Sequence, residues 1–408
     1  MQKEEFYREA RTDLPGPMSG VRVLEVTTTW AGPMCGTVLA DLGADVVKVE
    51  IPSGDVGRAI FPTLPGTEVG FAHATVNRNK RAVTLDIRKP EGRDICLDLA
   101  RTSDIVLENF KVGTMQNYGL GYEDIRAIKP DIVYVSITGW GQFGPKYEEA
   151  GYDPLAQAFS GFLSINGSTE GPPTKAGTFL ADDLGGLHGA IGAMGALRHR
   201  DQTGEGQHVD VALLDSMLFQ SNGLPSLGAL DVAPGRNGNE FGFAVPANVY
   251  DCKDGPIYVG VLLDAHWRTL VEILEQPDLA DNPAFATREA RAENRDICNM
   301  MLSEWLAERT RSEALEILLD HGLAVAPVQT FVEAAQDPHV LARDMLQTVT
   351  FDDGTSAPIT GPAAKFSRTP TKVRSAAPSM GQHTDEVLTE LGLDEDRRRA
   401  LAQAGITK

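Results

Sequence analysis

The amino-acid sequence predicts an α/β protein with a large domain built on a Rossmann-like open parallel sheet and a smaller α+β domain. Short apolar runs typical of buried strands alternate with helical segments through the first half of the chain. That alternation is the pattern of successive βαβ units. The chain has 408 residues, of which 42% are hydrophobic and 23% charged, as expected for a soluble globular protein with more than one core.

The first βαβ unit is predicted close to the start of the chain. Residues 21–26 form an apolar run typical of a buried strand, and a loop follows. Pro33 suits the first position of a helix over 33–43, because an N–H group there would have no helical partner. A second strand is predicted over 45–50. The alternation continues with strands at 82–86, 104–108, 131–138 and 208–212, and with helices at 90–101, 122–128, 152–161 and 184–200.

The composition changes near residue 226. Proline, glycine and asparagine cluster over 234–239, and a hairpin with its turn at Gly255 is predicted next. Helices are predicted over 264–322, a strand–turn–strand around 352–355 and a charged helix over 385–406. We therefore expect a large domain over 1–225, a small domain over 226–330 and a C-terminal segment, 331–408, that returns to the large domain.

The net charge and the cysteines exclude several classes of protein. A net charge of −20 disfavours nucleic acid as a partner, since phosphates need a basic surface. The four cysteines are scattered, and no CxxC motif suggests a zinc site or a disulfide framework. This cysteine usage favours the cytoplasm. The first residues lack the apolar core of a signal peptide, and no stretch reaches the roughly 18 apolar residues of a membrane span, so no membrane association is expected.

A pair of aspartates, Asp182 and Asp183, opens a long segment of small and apolar residues. Carboxylates are costly in such surroundings unless donors hold their charge, and a helix N-terminus supplies free backbone N–H groups. Gly185 and Gly186 are expected to leave open space beside the carboxylates. These features suit a carboxylate nucleophile that must admit a bulky group. The alternative is that one of the two aspartates only caps a helix.

Two further segments resemble nucleotide-binding features. Residues 139–144 match G-x-G-x-x-G after a predicted strand, but Pro145 follows and no apolar helical period comes next, which argues against a nicotinamide cofactor. Basic residues cluster over 77–90. They are either charge partners for the phosphates of a nucleotide-like cofactor or an ordinary solvated strand end.

Asn109 and Phe110 follow a predicted strand, where ligands bind in open α/β sheets. Asn109 could hydrogen-bond and Phe110 could stack on an adenine ring; alternatively, Phe110 belongs to the core. His188 lies six residues beyond Asp182, so the two side chains point to different helix faces. No G-x-S-x-G motif supports a Ser/His/Asp triad.

Several of these motifs occur in an order that resembles the class III CoA-transferase family, also called the formyl-CoA transferase/carnitine CoA-transferase family. The similarity runs from about residue 19 to 225 and more weakly to about 380. The segments that carry it are 20–36, 41–50, 79–86, 108–110, 136–145, 151–157, the Asp182 segment and 203–215. The resemblance implies an interlocked homodimer or a related heterodimer.

The resemblance also implies an activity: transfer of CoA from an acyl-CoA donor to a carboxylic acid. Asp182 matches the family's catalytic aspartate, which would form an aspartyl anhydride and then an aspartyl-CoA thioester. A CoA thioester is the substrate, and neither a metal nor a tightly bound cofactor is implied. Succinyl-CoA is the expected donor, since succinate is a common product acid in this family. The positions that match CoA contacts are Trp30, Ala31, Leu85, Asp86, Arg88, Asn109, Phe110, Lys111, Tyr152 and Asp153.

The chain departs from the family pattern at some positions, and two alternatives stay open. Trp30 stands where formyl-CoA transferases carry a glutamine, Asn117 replaces an arginine of the CoA site, and residues 240–246 replace the family's glycine-rich loop. Trp30 and Phe243 lead us to expect a less polar pocket. One alternative is a 2-methylacyl-CoA racemase, although racemases place a histidine where this chain has Tyr152, and a phenol is a poor base at neutral pH. The other is a non-catalytic partner subunit of a heteromeric transferase, which need not keep Asp182.

Overall fold

The computed structural model describes residues 1–408, and the chain divides into two compact units. The first unit contains Met1–Phe162, Lys175–Val232 and His339–Lys408. The second contains Leu163–Thr174 and Ala233–Pro338. The first unit is thus assembled from segments at both ends of the chain.

The first unit is built on a six-stranded sheet with every strand parallel to its neighbours, in the order β3-β2-β1-β4-β5-β6. This confirms the predicted α/β class. The strands of the protein, in chain order, are β1 Arg22–Val26, β2 Asp45–Glu50, β3 Lys80–Thr84, β4 Ile105–Glu108, β5 Val133–Thr138, β6 Gln207–Ala212, β7 Ala247–Cys252, β8 Gly255–Gly260, β9 Ala324–Pro327, β10 Leu346–Thr350 and β11 Ser356–Thr360.

The helices of the first unit cover both faces of the parallel sheet, and those of the second unit pack around its own core. None of them has both the length and the apolar character that a bilayer-spanning helix requires. In chain order they are α1 Lys3–Phe6, α2 Ala31–Asp41, α3 Phe71–Val76, α4 Pro90–Arg101, α5 Thr114–Asn117, α6 Tyr122–Ile128, α7 Asp153–Phe159, α8 Phe162–Ile165, α9 Leu180–Thr203, α10 Leu213–Phe219, α11 Leu224–Gly228, α12 Asp264–Ile273, α13 Arg288–Glu293, α14 Arg295–Ala307, α15 Arg311–Asp320, α16 Phe331–Gln336, α17 Pro338–Ala342, α18 Thr384–Glu390 and α19 Glu395–Gln403.

The core of the first unit lies on the two faces of the sheet. Successive strand residues point to opposite faces, so Val23 packs with α2 and α9, whereas Leu24 packs with Leu99 of α4 and Leu388 of α18. Burial on both faces explains why these strands are nearly continuous apolar runs.

The predicted C-terminal helix over 385–406 is wrong in one respect, because two helices occupy that range. Gly392 adopts a φ of +84° after α18, a backbone conformation that interrupts a right-handed helix. Asp394 then starts α19, and its side chain accepts a hydrogen bond from the backbone N–H of Arg397. The strand–turn–strand predicted around 352–355 is present as the antiparallel pair β10–β11.

The second unit has its own small antiparallel sheet, β7-β8-β9, and a separate core. Trp267 of α12 and Leu302 of α14 are fully buried in that core. Arg291 is also buried, and its guanidinium donates hydrogen bonds to the carbonyl oxygens of Val245 and Phe285 and to Asp264. These partners satisfy a charge that burial would otherwise make costly.

Candidate active site

A cavity of about 570 Å³ opens at the carboxyl edge of the parallel sheet, and we call it the sheet-edge cavity. It lies beside β1 and β4, where the strand order reverses, which is the usual ligand position in open α/β sheets. The loops after β1, β4 and β5 and the start of α9 line it. The lining residues are Thr28, Thr29, Trp30, Ala31, Val56, Ile60, Asn109, Phe110, Lys111, Val112, Ile137, Thr138, Gly139, Trp140, Tyr147, Glu149, Ala150, Gly151, Tyr152, Asp153, Asp182 and Leu213.

Asp182 lies in the first turn of α9, with its side chain at the wall of this cavity. Its carboxylate accepts no hydrogen bond from the protein. Burial, together with repulsion from Asp153 and Asp183, raises its pKa to about 7. The charged form is therefore poorly stabilised in the free protein, and the carboxyl group lies next to open space.

The two neighbouring aspartates are anchored. Asp153 is 3% exposed. Its Oδ1 accepts a hydrogen bond from the backbone N–H of Ala181 at 2.7 Å, and its Oδ2 accepts one from Nε2 of Gln157 at 2.8 Å. Oδ1 of Asp183 accepts the indole N–H of Trp30, also at 2.7 Å. Helix α9 therefore receives its side-chain acceptor from Asp153, and the interpretation of Asp182 or Asp183 as the helix cap is wrong.

Gly185 and Gly186, which follow Asp182, lie in close contact with neighbouring helices. A Cβ at position 186 would lie 2.8 Å from the Cβ of Met34 and 2.9 Å from the carbonyl oxygen of Ala31. A Cβ at position 185 would lie 2.5 Å from Cδ2 of Leu213. The expectation of open space at Gly185 and Gly186 is wrong, because both glycines permit close packing of α9 against α2 and α10.

The loop after β1 is held in an unusual conformation. Thr29 has a φ of +69°, which non-glycine residues rarely adopt. Asp55 stabilises it: Oδ1 accepts hydrogen bonds from Oγ1 of Thr28 at 2.7 Å and from the backbone N–H of Thr29 at 3.0 Å. Asn109 joins this loop to the end of β4, since its side-chain amide bonds both backbone groups of Thr28 at 2.8 and 2.9 Å. The Asn109 amide is thus engaged within the protein.

A network of buried charged side chains supports the loop after β1 through Asp55. Lys48 Nζ lies 3.0 Å from Asp55 and 3.2 Å from Glu25, and all three side chains are at most 2% exposed. Lys80 Nζ lies 2.7 Å from the other oxygen of Glu25. Burial opposes ionisation of Asp55, but the positive charge of Lys48 still lowers the pKa of Asp55 below its ordinary value. This loop geometry therefore depends on a fully buried ion pair.

Trp30 forms an aromatic wall of the cavity. Its ring centroid lies 4.9 Å from that of Phe179, 6.3 Å from that of Phe61 and 6.4 Å from that of Phe71. Trp30 itself is 9% exposed. It precedes α2, whose first N–H groups, from Ala31 onward, have no helical acceptor. The wall therefore combines a flat apolar surface with free backbone donors beside it.

The remaining predicted contacts divide into two groups. Phe110, Lys111 and Tyr152 line the sheet-edge cavity, with Tyr152 64% exposed. Leu85 and Asp86 are not among its lining residues. They follow β3, which β2 separates from β1, so they lie roughly 10 Å along the sheet edge, two strand spacings away.

Arg88 also lies outside the sheet-edge cavity. Its guanidinium bonds Asp86 at 2.7 and 3.0 Å, while Leu85 is fully buried in the core. Lysine and arginine residues earlier in the basic segment are also paired: Arg78 with Asp41, and Lys80 with Glu25. The interpretation of this whole segment as a set of phosphate partners is wrong for Arg78 and Lys80, because both are buried on carboxylates.

The first two residues of the G-x-G-x-x-G segment, Gly139 and Trp140, line the cavity, but the segment does not start a helix. The backbone of Gly139 packs directly on that of Gly151, and Asp210 accepts a hydrogen bond from the backbone N–H of Gln142 at 2.9 Å. This differs from the strand–turn–helix arrangement of a dinucleotide site. No group of three His, Cys, Asp or Glu side chains in the chain could hold a metal ion.

Three roles in this site are not predicted by the sequence. They are the stabilisation of the loop after β1 by Asp55, the contact of Asp183 with Trp30 and the capping of α9 by Asp153. The contact of Asp183 with Trp30 spans 153 residues and that of Asp153 with Ala181 spans 28 residues. No local pattern connects such positions, although the Asp-Val-Gly sequence at 55–57 is compatible with the observed turn.

Comparison with known proteins assigns the family. The model of CoA-transferase family III matches residues 18–384. The chain is 37% identical over 395 residues to the succinyl-CoA:mesaconate CoA-transferase of Haloarcula hispanica, covering 94% of this chain and 98% of that protein. It is 36% identical over 399 residues to the succinate–glutarate CoA-transferase of Agrobacterium fabrum, covering 93% and 98%.

A solved structure agrees with this assignment. The crystal structure of a CaiB/BaiF family protein from Brucella suis is 34% identical in sequence and superposes with a TM-score of 0.83. The match covers 92% of this chain and 100% of that one. The chain therefore belongs to CoA-transferase family III and is an enzyme of that family.

Proposed function

We propose that this enzyme transfers CoA from succinyl-CoA to a dicarboxylic acid through covalent intermediates on Asp182. The observation that carries the proposal is the contrast among three neighbouring aspartates: Asp153 of α7 and Asp183 of α9 are hydrogen-bonded, whereas Asp182 faces the sheet-edge cavity without a donor. The names of the relatives support the substrates, since they specify succinyl-CoA or succinate with mesaconate or glutarate.

The first half-reaction loads CoA onto the enzyme. The Asp182 carboxylate attacks the thioester carbonyl of succinyl-CoA, the C–S bond breaks, and an aspartyl–succinyl anhydride and CoA thiolate form. The thiolate then attacks the aspartyl carbonyl, and succinate leaves. The product is an aspartyl-CoA thioester on Asp182.

The second half-reaction reverses these steps with a different acid. The acceptor carboxylate attacks the aspartyl thioester carbonyl and releases CoA thiolate, which leaves an anhydride between Asp182 and the acceptor. The thiolate then attacks the carbonyl of the acceptor, so that the new acyl-CoA forms and the Asp182 carboxylate is restored. Each bond broken is matched by one formed, and no external oxidant, reductant or metal is needed.

Several protein groups suit these steps. The free N–H groups at the start of α2, including that of Ala31, can donate to the oxyanion that develops at the attacked carbonyl. The positive end of the α9 dipole lies at Asp182 and favours negative charge beside it. A half-buried carboxylate with a raised pKa is also more basic, and therefore more nucleophilic, than one in water.

CoA is long enough to connect the cavity with a second contact region. In this proposal the thioester end lies at Asp182, Phe110 stacks on or near the adenine, and Lys111, which has no ion-pair partner, meets a phosphate. Arg88 and the adjoining Asp86, farther along the sheet edge, contact the nucleotide end, whereas Leu85 supports them from the core. Tyr152 lies between these regions at the cavity surface.

We also propose an interlocked homodimer in the cytoplasm. The family resemblance supports this assembly. A heteromer with a related subunit is the alternative, and one relative at 34% identity is named as the beta subunit of a succinyl-CoA–L-malate CoA-transferase from Chloroflexus aurantiacus. An assay of the purified single chain distinguishes a catalytic subunit from a partner that needs a second chain.

The test of the proposal is replacement of Asp182. We expect Asp182→Ala to lower transfer from succinyl-CoA to glutarate or mesaconate by roughly a thousandfold or more, because a covalent step is lost. Hydroxylamine added during turnover should convert Asp182 of the wild-type enzyme into a hydroxamate, detected by peptide mass spectrometry.

The matched control is Asp396→Ala, which removes a 92% exposed carboxylate from the first turn of α19. It should retain full activity. Wild-type turnover by Asp182→Ala would overturn the mechanism. Deuterium uptake at the α-carbon of a 2-methylacyl-CoA in D2O, without an acceptor acid, would instead indicate racemase activity.

A further inference from the structure

We infer that Asp183 is a positioning residue that locks the indole of Trp30 in place as the apolar wall of the acyl-binding part of the sheet-edge cavity. The inference rests on the proposed function, because it describes how the same site selects its acids. It assigns different tasks to two adjacent carboxylates: Asp182 reacts and Asp183 orients.

The contact between Asp183 and Trp30 joins the two helix starts that flank the reacting group. The indole nitrogen lies 2.7 Å from Oδ1 of Asp183, a short hydrogen bond to a charged acceptor. Trp30 immediately precedes α2, and Asp183 lies in the first turn of α9. Because Asp182 is the adjacent residue on the same turn, any movement of the indole would change the space directly beside it.

Aromatic packing also fixes the indole. Phe179, which precedes α9, lies 4.9 Å from Trp30 between ring centroids, and Phe61 and Phe71 complete the cluster. The indole ring can therefore neither tilt toward these residues nor turn its N–H elsewhere without breaking a packed contact. Two constraints, one polar and one apolar, determine a single orientation.

This arrangement has a consequence for substrate choice. Since the only polar atom of the indole is already bonded to Asp183, the indole itself offers the substrate no hydrogen-bond donor. A hydroxyl group on the acid that lies against this wall would lose water without gaining a partner. The site should therefore favour dicarboxylic acids with a hydrocarbon segment between the carboxylates, such as glutarate, over hydroxy acids of similar size, such as malate.

The test compares kcat/KM for glutarate and malate in wild type, Asp183→Ala, Asp183→Asn and Trp30→Phe. We expect wild type to prefer glutarate, and Asp183→Ala to lower that preference about tenfold, within the range that a hydrophobic pocket supplies. Asp183→Asn keeps an oxygen acceptor for the indole and should retain the preference within about twofold. In a Trp30→Phe background, Asp183→Ala should have no further effect on the ratio.

A second measurement does not depend on activity. The chain has four tryptophans, and the indole N–H signal of Trp30 in a 15N–1H correlation spectrum is identified by its loss in Trp30→Phe. We expect that signal to move upfield in Asp183→Ala, because the N–H loses an anionic acceptor, and to move less in Asp183→Asn. Equal ratios in wild type and Asp183→Ala, or an unmoved signal, would overturn the inference. If the Trp30 signal moves in Asp183→Ala but the wild-type enzyme transfers CoA to neither acid, the proposed acceptors are wrong and the contact between Asp183 and Trp30 still stands.

Discussion

At the scale of single residues, the proposed mechanism depends on the ionisation of Asp182. Burial and two neighbouring carboxylates raise its pKa to about 7, whereas an aspartate in an unfolded chain has a pKa of about 4. Only the carboxylate form can attack a thioester. The proposed nucleophile therefore lies near the midpoint of its titration at neutral pH, and its ionised fraction changes with small shifts in pH.

We expect kcat/KM for succinyl-CoA to rise with pH through about 7 and to level off above it, since this parameter reports ionisations of the free enzyme. Initial rates measured over a range of pH at subsaturating donor test the prediction. Repetition with a second acyl-CoA donor should give the same midpoint if it belongs to the enzyme. A profile that is flat across pH 7 would contradict the assignment.

The same ionisation gives an activity-independent control. The pKa of Asp182 is higher in the folded than in the unfolded state, so between about pH 4 and 7 the folded protein binds the additional proton. The stability that this proton contributes is present at low pH and is lost as the pH rises through about 7. Urea unfolding should therefore show Asp182→Asn to be more stable than wild type well above pH 7, with the difference vanishing near pH 4.

At the scale of secondary-structure elements, the position of Asp182 depends on where α9 begins. The helix was predicted over 184–200 and begins four residues earlier, at Leu180, so that Asp182 falls within its first turn. The period of the apolar residues could identify the helix, but the position of its start depends on Asp153, which caps it from another helix. Helix starts set by distant side chains are not visible in a local pattern.

Two glycines of α9 provide a matched pair of substitutions. A Cβ at Gly186 would meet Met34 and the carbonyl oxygen of Ala31, whereas a Cβ at Gly195 would meet nothing within 4 Å. We expect Gly186→Ala to lower the free energy of unfolding by about 1–3 kcal/mol and to reduce kcat, because α9 must move away from α2. Gly195→Ala should raise the free energy of unfolding by up to about 1 kcal/mol, because alanine has the higher helix propensity, and it should leave kcat unchanged.

Urea unfolding and steady-state kinetics on both variants check this pair. Equal effects of the two substitutions would mean that α9 is not held against α2 at Gly186. Loss of activity without loss of stability in Gly186→Ala would instead indicate that the helix shifts with little cost.

At the scale of the whole molecule, helices from the C-terminal part of the chain pack on the parallel sheet that the earlier part forms. Leu388 and Leu401 from the last two helices join the cluster that contains Leu24 of β1. The backbone N–H of Lys408 donates to Oγ1 of Thr84 at 2.8 Å, which ties the C-terminus to the end of β3. The segment 163–174 belongs to the second unit, although the residues before and after it in the chain belong to the first.

The proposed interlocked homodimer is tested at this scale. Chains linked as rings cannot separate without unfolding, so sedimentation of the purified protein should give twice the 43.9 kDa mass of one chain at every concentration, including high dilution. In denaturant, dissociation and loss of helical signal should coincide. Folded monomers at high dilution would contradict the interlocking, and a stable monomer at all concentrations would contradict the dimer.

The sequence by itself determined the alternation of strands and helices, the parallel sheet and the candidacy of Asp182, because apolar periodicity and motif order are local properties of a chain. Only the tertiary structure decided what the neighbours of Asp182 do. Asp153 caps α9. Asp183 accepts a hydrogen bond from Trp30, although the sequence suggested only a helix-start residue. Gly186 allows α2 to pack closely, although the sequence suggested open space. The physical reason is that hydrogen bonds and close packing depend on which distant groups meet, and that is settled only when the sheet and its helices assemble.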